Sequence, residues 1–186
     1  MRYAQIRSMD ISNGENIGVS LFVQGCPFHC YNCFNSSTWD FNGGNQWTED
    51  TKKKFLQLAN KSYIKRISIL GGEPLYSKNL DDVLSLIKEI RKNFPEKTIW
   101  LYTGYEWNQI MNIKVTQPFF SCQDLESKIR NVLKRQEIIK MCNVVVDGEY
   151  IDRLRDVTLK WRGSSNQRVI DVQKSLEQNK VVLYCD

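Results

Sequence analysis

Three cysteines within eight positions are the feature of this sequence that most clearly points to chemistry. Cys26, Cys30 and Cys33 lie in the stretch GCPFHCYNCFN, between Gly25 and Asn35. Soft thiolates select zinc, copper(I) or iron–sulfur clusters. A structural zinc site takes four ligands, usually two pairs separated by an intervening segment. The stretch therefore predicts a metal site with three thiolate ligands, one fewer than a structural zinc site takes.

No other residue is an obvious fourth ligand. His29 could be a fourth ligand, but it lies inside an already tight loop, and an ordinary loop side chain is the better interpretation. Cys122 is expected to be an ordinary thiol, while Cys142 opens an apolar strand and Cys185 closes one. Both strand cysteines are expected to be small core residues.

For a cubane cluster, three thiolates indicate an incomplete set of protein ligands. A full [4Fe–4S] site takes four cysteines, so three leave one iron without a protein ligand. An open metal position is where a substrate or cofactor binds. The loop therefore indicates a catalytic arrangement rather than a structural one.

The composition is that of one ordinary globular domain. The 186 residues are 41% hydrophobic and 25% charged, and no apolar run approaches the length of a membrane span. The start, MRYAQIRSMDIS, lacks the basic flank and apolar stretch of a signal peptide. We therefore expect a cytoplasmic protein without a membrane partner, whose thiols stay reduced rather than forming disulfides.

The net charge of +5 does not by itself indicate nucleic-acid binding. The clustered basic residues lie on predicted helices beside acidic neighbours, as at Lys52, Lys53, Lys54, Lys134 and Arg135. Solvated helix faces explain this pattern, and we expect no nucleic-acid partner.

Hydrophobic patterning predicts strands that alternate with helices. The expected strands are Gly18–Val23, Arg66–Leu70, Thr98–Tyr102, Asn143–Val146 and Val181–Tyr184. Helices are expected from an N-cap at Thr48, from a cap at Asn79, over 124–141 and over 171–178. Such alternation predicts an α/β fold with a mostly parallel sheet. The cysteine loop and the Gly71-Gly72 turn then both follow strand ends, where such folds carry their chemistry.

Two motifs together resemble a known superfamily. The spacing C-x3-C-x2-C in CPFHCYNC and the turn GGEP, from Gly71 to Pro74, resemble the radical S-adenosylmethionine (SAM) enzymes. The blocks MDISNGENIGVSLFVQGC, CFNSSTWD, IWLYTGY, VVVDGEY and WRGSSNQRVIDV further resemble the activating proteins of anaerobic ribonucleoside-triphosphate reductase. Asn32 departs from the broad superfamily, in which an aromatic residue often precedes the third cysteine, but it fits this subgroup.

The resemblance implies a fold and a domain plan. It implies an incomplete TIM-like βα barrel of the radical SAM type, formed by a single domain over residues 1–186. A helical insertion around 112–141 looks longer than compact members have, and a C-terminal tail covers 160–186. With four or five strands before the tail, the chain is not expected to close a full eight-stranded barrel.

The resemblance also implies cofactors, a reaction and partners. Cys26, Cys30 and Cys33 would bind [4Fe–4S], whose open iron takes the amino and carboxylate groups of SAM. One electron from a donor such as flavodoxin would cleave SAM. A 5′-deoxyadenosyl radical would then remove hydrogen from a backbone glycine of the reductase large subunit.

Individual residue roles follow from the motif positions. Asn32, Cys33 and Phe34 are expected beside SAM, and Glu73 is expected to accept from its ammonium. Gly71 and Gly72 would let the backbone approach the methionyl group without a Cβ clash.

Two later segments have competing interpretations. Thr103 and Gly104 would line the adenosine side or form a plain strand-end turn. The stretch from Arg162 to Arg168 would contact the partner, order the site, or satisfy its own hydrogen bonds as a surface loop.

Three alternatives stay open on the sequence. The chain could be a zinc-stabilised binding module without catalysis. It could be a small radical SAM enzyme that acts on a small molecule, such as a deazapurine synthase. It could also activate a different glycyl-radical enzyme, such as pyruvate formate-lyase.

Overall fold

A mixed eight-stranded sheet organises this computed structural model, which describes residues 1–112 and 122–185. Its strands are β1 (Arg2–Asp10), β2 (Gly18–Val23), β3 (Asn45–Gln46), β4 (Arg66–Gly71), β5 (Thr98–Tyr102), β6 (Val144–Asp147), β7 (Arg168–Asp171) and β8 (Leu183–Cys185). The described α-helices are α1 (Glu49–Ala59), α2 (Leu80–Asn93), α3 (Trp107–Met111), α4 (Cys122–Lys140) and α5 (Val172–Gln178). The predicted α/β class is confirmed.

The sheet is parallel at its centre and antiparallel at its flanks. Its strand order is β3-β1-β2-β4-β5-β6-β7-β8. Strands β2, β4, β5 and β6 run parallel, whereas β1, β3, β7 and β8 each pair antiparallel with their neighbours. The sequence analysis did not predict β1, β3 or β7. It also placed the last strand over Val181–Tyr184, whereas β8 covers Leu183–Cys185.

Strand alternation gives the sheet two different faces. All five described helices pack against one face, where buried side chains such as Val19, Leu21, Ile67 and Ile99 form the main core. Cys142 is fully buried in this core, as expected. The neighbouring strand positions point to the opposite face, which therefore remains available for loops and for a site.

The opposite face is more polar. It carries Ser20, Arg66 and Ser68, together with a small apolar cluster around Trp100. Trp161 and Cys185, from the C-terminal part of the chain, pack against this cluster. Cys185 thus lies beside a minor core and is partly buried.

The two predicted helix caps have different outcomes. Thr48 caps α1 as expected, because its side chain accepts from the Thr51 amide at 3.2 Å. Asn79 occupies the cap position of α2 without a side-chain cap bond. Its amide group instead donates to the carbonyls of Gln24 (3.2 Å) and Glu73 (3.0 Å). The predicted cap position of Asn79 is therefore confirmed, but its side chain binds these two loops and does not cap the helix.

The predicted helical insertion around 112–141 lies partly outside the described residues, which resume at α4. No helix in the described part combines the length and the apolar character needed to span a membrane.

Candidate active site

A cleft of about 580 Å³ opens on the polar face of the sheet, at the carboxyl ends of its parallel strands. Each of the four central strands contributes a residue near its end: Phe22 from β2, Gly71 from β4, Tyr102 from β5 and Val146 from β6. Cavities of roughly 300–1,000 Å³ hold most small ligands and cofactors. The cleft thus has the position and the volume expected of an active site in such a fold.

The three clustered cysteines line this cleft together. Cys26, Cys30 and Cys33 all contribute to its wall, and all three are partly buried. Two backbone hydrogen bonds close the base of their loop. The Gly25 amide donates to the Thr38 carbonyl (2.8 Å), and the Cys26 amide donates to the Trp39 carbonyl (3.1 Å). A further turn, from the Cys33 amide to the Cys30 carbonyl at 3.1 Å, sets the spacing of the last two thiols.

The donor set has the chemistry of an iron–sulfur site, because soft thiolates are the ligands of such clusters. In a cubane each thiolate binds a different iron, so the sulfurs surround the cluster and do not converge on one point. Three thiols around one cleft fit [4Fe–4S] with one open position.

Two of these thiols, Cys26 and Cys30, are protonated when no metal is bound. Burial raises the pKa of the Cys26 thiol to about 11, and burial is also the largest cause of the raised pKa of Cys30. Metal binding must therefore displace protons from this loop. His29 is engaged elsewhere, because its ring stacks on Trp39 with centroids 4.7 Å apart and planes at 10°. The cleft lining does not include His29.

The two residues that flank Cys33 have different positions. Phe34 lines the cleft, is 64% exposed, and packs edge-on against Tyr150 at 5.3 Å. Asn32 has a left-handed backbone with φ of 54° and donates to the Asp152 carboxylate at 3.1 Å. It is absent from the lining. The structure thus brings Phe34 to the site and turns Asn32 towards the segment after β6.

Gly71 and Gly72 both line the cleft, but contacts and backbone geometry within the protein already require glycine at these positions. Gly71 has a φ of +103°, which a side chain rarely adopts. A Cβ on Gly72 would lie 2.5 Å from the Gly25 carbonyl oxygen. A Cβ on Gly71 would lie 2.8 Å from Phe22 on β2, so close packing within the protein requires glycine at both positions. Their expected approach to the methionyl group stays a prediction.

Glu73 lies behind the cleft rather than in its wall. Its side chain is fully buried, and one carboxylate oxygen accepts from the Leu75 amide and the Thr103 hydroxyl, both at 2.8 Å. The other oxygen accepts from the Gly104 amide at 2.8 Å. With these three donors the carboxylate faces the protein, and its expected contact with the SAM ammonium stays a prediction.

Thr103 and Gly104 line the cleft and hold its back wall at the same time. Both groups donate to Glu73, and a Cβ on Gly104 would lie 2.6 Å from the Phe28 ring. Thr103 and Gly104 thus form the strand-end turn and also line the cleft, while their expected contact with the adenosine side stays a prediction. The end of β5 is packed against the cysteine loop through Phe28.

The stretch from Arg162 to Arg168 also serves two roles. Arg162, Gly163 and Gln167 line the cleft. The Gln167 side chain accepts from the Gly163 amide at 2.9 Å and donates to the Gly148 carbonyl at 2.9 Å. Arg168 pairs with the buried carboxylate of Asp147. The loop forms several hydrogen bonds of its own and one wall of the site, although the Arg162 Nε is buried without a partner in the part of the chain that the structure describes.

Several lining residues were not singled out from the sequence. They are Ser12, Asn13, Phe28, Glu149, Tyr150, Val157 and Trp161. Five of them lie within the blocks that resemble the activating proteins, whereas Phe28 lies in the cysteine loop and Val157 lies outside these blocks. Their convergence depends on pairing between distant strands, which local patterning does not reveal.

The contact between Gly72 and Gly25 yields a stability prediction. Gly72→Ala should lower the free energy of unfolding of the metal-free protein by about 1–3 kcal/mol, because backbone rather than a flexible side chain must move. Urea denaturation measures this. Gly148→Ala is the control: its nearest neighbour is 3.8 Å away and its φ is +93°, so it tests backbone strain without a clash. A Gly72→Ala protein as stable as wild type would contradict the close approach.

The buried carboxylate yields a pH prediction. Burial raises the pKa of Glu73 to about 7 from 4.5, so the folded state keeps the proton over a range where the unfolded chain has lost it. The stabilisation from this proton is complete below about pH 4.5 and is lost as the pH rises towards about 7. One pKa unit corresponds to about 1.4 kcal/mol, so the loss is on the order of 3 kcal/mol.

Glu73→Gln isolates this effect because the amide does not titrate. Urea unfolding of both metal-free proteins at about pH 5 and about pH 8 should show wild type losing stability relative to the variant as pH rises. A difference between the two proteins that does not change with pH would mean that Glu73 keeps an ordinary pKa.

Comparisons with known proteins agree with this geometry. A family model described as a 4Fe-4S single cluster domain matches residues 12–170. The chain is 36% identical to the anaerobic ribonucleoside-triphosphate reductase-activating proteins of Salmonella typhi and Escherichia coli (strain K12), over 91% of this chain and 97% of each relative. The same identity holds for the corresponding protein of Enterobacteria phage T4, over 91% and 93%. The chain therefore belongs to the family of anaerobic ribonucleoside-triphosphate reductase-activating proteins.

Proposed function

We propose that this chain is a radical SAM activase that generates a glycyl radical on anaerobic ribonucleoside-triphosphate reductase. The observation that carries the proposal is the convergence of Cys26, Cys30 and Cys33 with the Gly71-Gly72 turn on one cleft, in a chain of this family. Zinc-stabilised binding without catalysis is disfavoured by the open, three-thiol arrangement.

The proposal includes a fold assignment finer than mixed α/β. The parallel strands β2, β4, β5 and β6, with the cleft at their carboxyl ends, support an incomplete TIM-like barrel of the radical SAM type. Residues 1–186 would then form one radical SAM domain, with the helical insertion around 112–141 and the tail over 160–186. The location proposed is the cytoplasm, where thiols stay reduced.

The chain's own contribution is binding, orientation and exclusion of water. Cys26, Cys30 and Cys33 would hold the cluster, and the Gly71-Gly72 backbone and Phe34 would border SAM. When bound, the cluster and SAM would supply one-electron reductive cleavage followed by hydrogen abstraction, with the electron coming from a donor such as flavodoxin. Asn32 and Glu73 would act from outside the cleft by fixing the loops that line it.

The rim of the cleft supports a macromolecular substrate. Phe34 and Val157 line the cleft and are 64% and 81% exposed. Large apolar side chains exposed at the mouth of a site indicate a surface that a partner covers. This arrangement favours a folded protein that presents a backbone glycine over a small molecule that must be enclosed.

The ligand assignment predicts which cysteines hold iron. Cys26→Ala, Cys30→Ala and Cys33→Ala should each lose the cluster after anaerobic reconstitution with iron and sulfide, because two thiolates remain for a group that needs three. Iron analysis and visible absorption measure this. Cys142→Ala is the control, since that thiol lies in the helix-side core. Loss of iron from a folded Cys142→Ala protein would contradict the assignment.

The partner assignment predicts where the hydrogen goes. Deuterium at the α-carbon of the reductase's radical-bearing glycine should appear in 5′-deoxyadenosine when reconstituted protein, SAM and reductant are mixed with the reductase. Electron paramagnetic resonance should show a glycyl radical in the same sample. Pyruvate formate-lyase serves as the alternative partner. Label retained in the reductase while another protein or a small molecule acquires the radical would contradict the proposal.

A further inference from the structure

A buried arginine lies on the same face of the sheet as the cleft but outside its lining. Arg66 is fully buried, and its Nη2 donates to the Asp10 carboxylate at 3.1 Å and to the Asp10 carbonyl at 2.8 Å. Its Nη1 donates to the carbonyls of Glu15 (3.1 Å) and Asn16 (2.9 Å), and also to that of Gly14. All these acceptors belong to residues 10–17, called here the floor segment.

The floor segment depends on side chains for its shape, because residues 11–17 contain neither strand nor helix. The Asp10 carboxylate accepts from the amides of Ser12 (2.8 Å) and Asn13 (2.9 Å). On β4, Ser68 donates to the Asn13 carbonyl at 2.6 Å. Two side chains of one strand, Arg66 and Ser68, thus hold the segment against the sheet.

The segment reaches the cleft directly. Ser12 and Asn13 line it, beside Arg7 and Phe22. The atoms fixed by Arg66 therefore lie within a few residues of atoms that border a bound ligand. A shift of the floor segment would move this part of the cleft wall without touching the cysteines.

Stability alone is a weak explanation for such a pair. Burying two charges costs desolvation that their attraction often only balances, whereas a fixed pair can enforce one conformation. The Arg66 side chain is closely packed, although its Nε is buried without a hydrogen-bond partner among the described residues. A Cβ on Gly14 or Gly18 would lie 2.6 Å or 2.7 Å from the Arg66 side chain.

We propose that Arg66 is a positioning residue for ligand binding, which acts by holding the floor segment as one wall of the SAM site. The proposal rests on the proposed function for the identity of the ligand. Arg66 itself touches neither the ligand nor the cysteines. Its guanidinium fork bridges five acceptors of one segment, and a point charge does not reproduce that geometry.

Arg66→Lys tests this geometry while keeping the charge opposite Asp10. The reconstituted variant should bind SAM roughly tenfold more weakly, since misplacing a binding group by about 1 Å can cost up to a hundredfold. Isothermal titration with the cluster oxidised measures affinity without turnover. Amide hydrogen exchange over residues 11–17 should become faster in the same variant.

Arg91→Lys is the matched control. Arg91, on α2, donates to the carbonyls of Met141 (2.7 Å) and Lys97 (3.0 Å) and to the Asn143 side chain (2.5 Å). Like Arg66, Arg91 donates to several acceptors through one guanidinium group, but neither Arg91 nor these acceptors line the cleft. Its replacement should lower stability and leave both SAM affinity and exchange over 11–17 unchanged.

The outcomes separate this inference from the proposed function. Unchanged SAM affinity in Arg66→Lys, or an equal loss in Arg91→Lys, overturns the positioning role, as does unchanged exchange over 11–17. A wild-type protein that binds no SAM overturns the proposed function, while the exchange measurement still decides whether Arg66 holds the segment. Should Arg66→Lys fail to fold, Ser68→Ala removes only the bond to Asn13 and should shift exchange and affinity in the same direction by less.

Discussion

The turn that begins at Gly71 joins the separate parts of the site through the residue at its centre, Glu73. The Glu73 amide donates to the Gly25 carbonyl at the base of the cysteine loop, at 2.8 Å. Its carboxylate binds the Gly104 amide beyond β5, and its carbonyl accepts from Asn79 at the start of α2. A buried carboxylate is tolerated only when donors replace its water, and the donors here come from different loops. The cysteine loop, the glycine turn and the end of β5 are therefore positioned as one unit.

Local patterning predicted the centre of the fold and not its flanks. Strands β2, β4, β5 and β6 are buried apolar runs, and their order with the helices predicted the parallel arrangement. Strand β1, with the sequence RYAQIRSMD, is exposed or half-buried along nearly all of its length and lacks that signature. β3 has two residues, and β7 follows a polar loop, so both owe their pairing to neighbours that are remote in sequence.

The same distinction applies to the site. The cysteine spacing and the GGEP turn are contiguous motifs, and their convergence on one cleft followed from both being placed after parallel strands. The orientation of Glu73 and Asn32 depends on Gly104 and Asp152, which lie 31 and 120 residues away. The motif therefore identified the right turn, whereas the direction of its carboxylate required the three-dimensional structure.

Helix α4 supports the site from behind. Arg135 donates to the Leu75 carbonyl at 2.8 Å, immediately after the glycine turn, and to the Tyr105 hydroxyl at 3.0 Å. Its guanidinium also lies over the Tyr105 ring, 4.2 Å from the centroid. Part of the stretch that the sequence left without a role thus braces the turn and the segment after β5, and its attachment there is polar as well as apolar.

The cysteine loop itself is held mainly at its base, and this links metal binding to its conformation. His29 and Asn32 have φ values of 49° and 54°, a left-handed conformation that costs energy in residues other than glycine. In the same loop the Cys26 and Cys30 thiols are protonated when free, because burial raises their pKa. If these thiols hold the proposed cluster, thiolate–iron bonds would have to offset both the strain and the proton release, and their formation would contribute to the folding free energy of this loop. The strand ends and the buried Glu73 side chain are positioned by the protein's own hydrogen bonds, so cluster binding would act mainly on the cysteine loop.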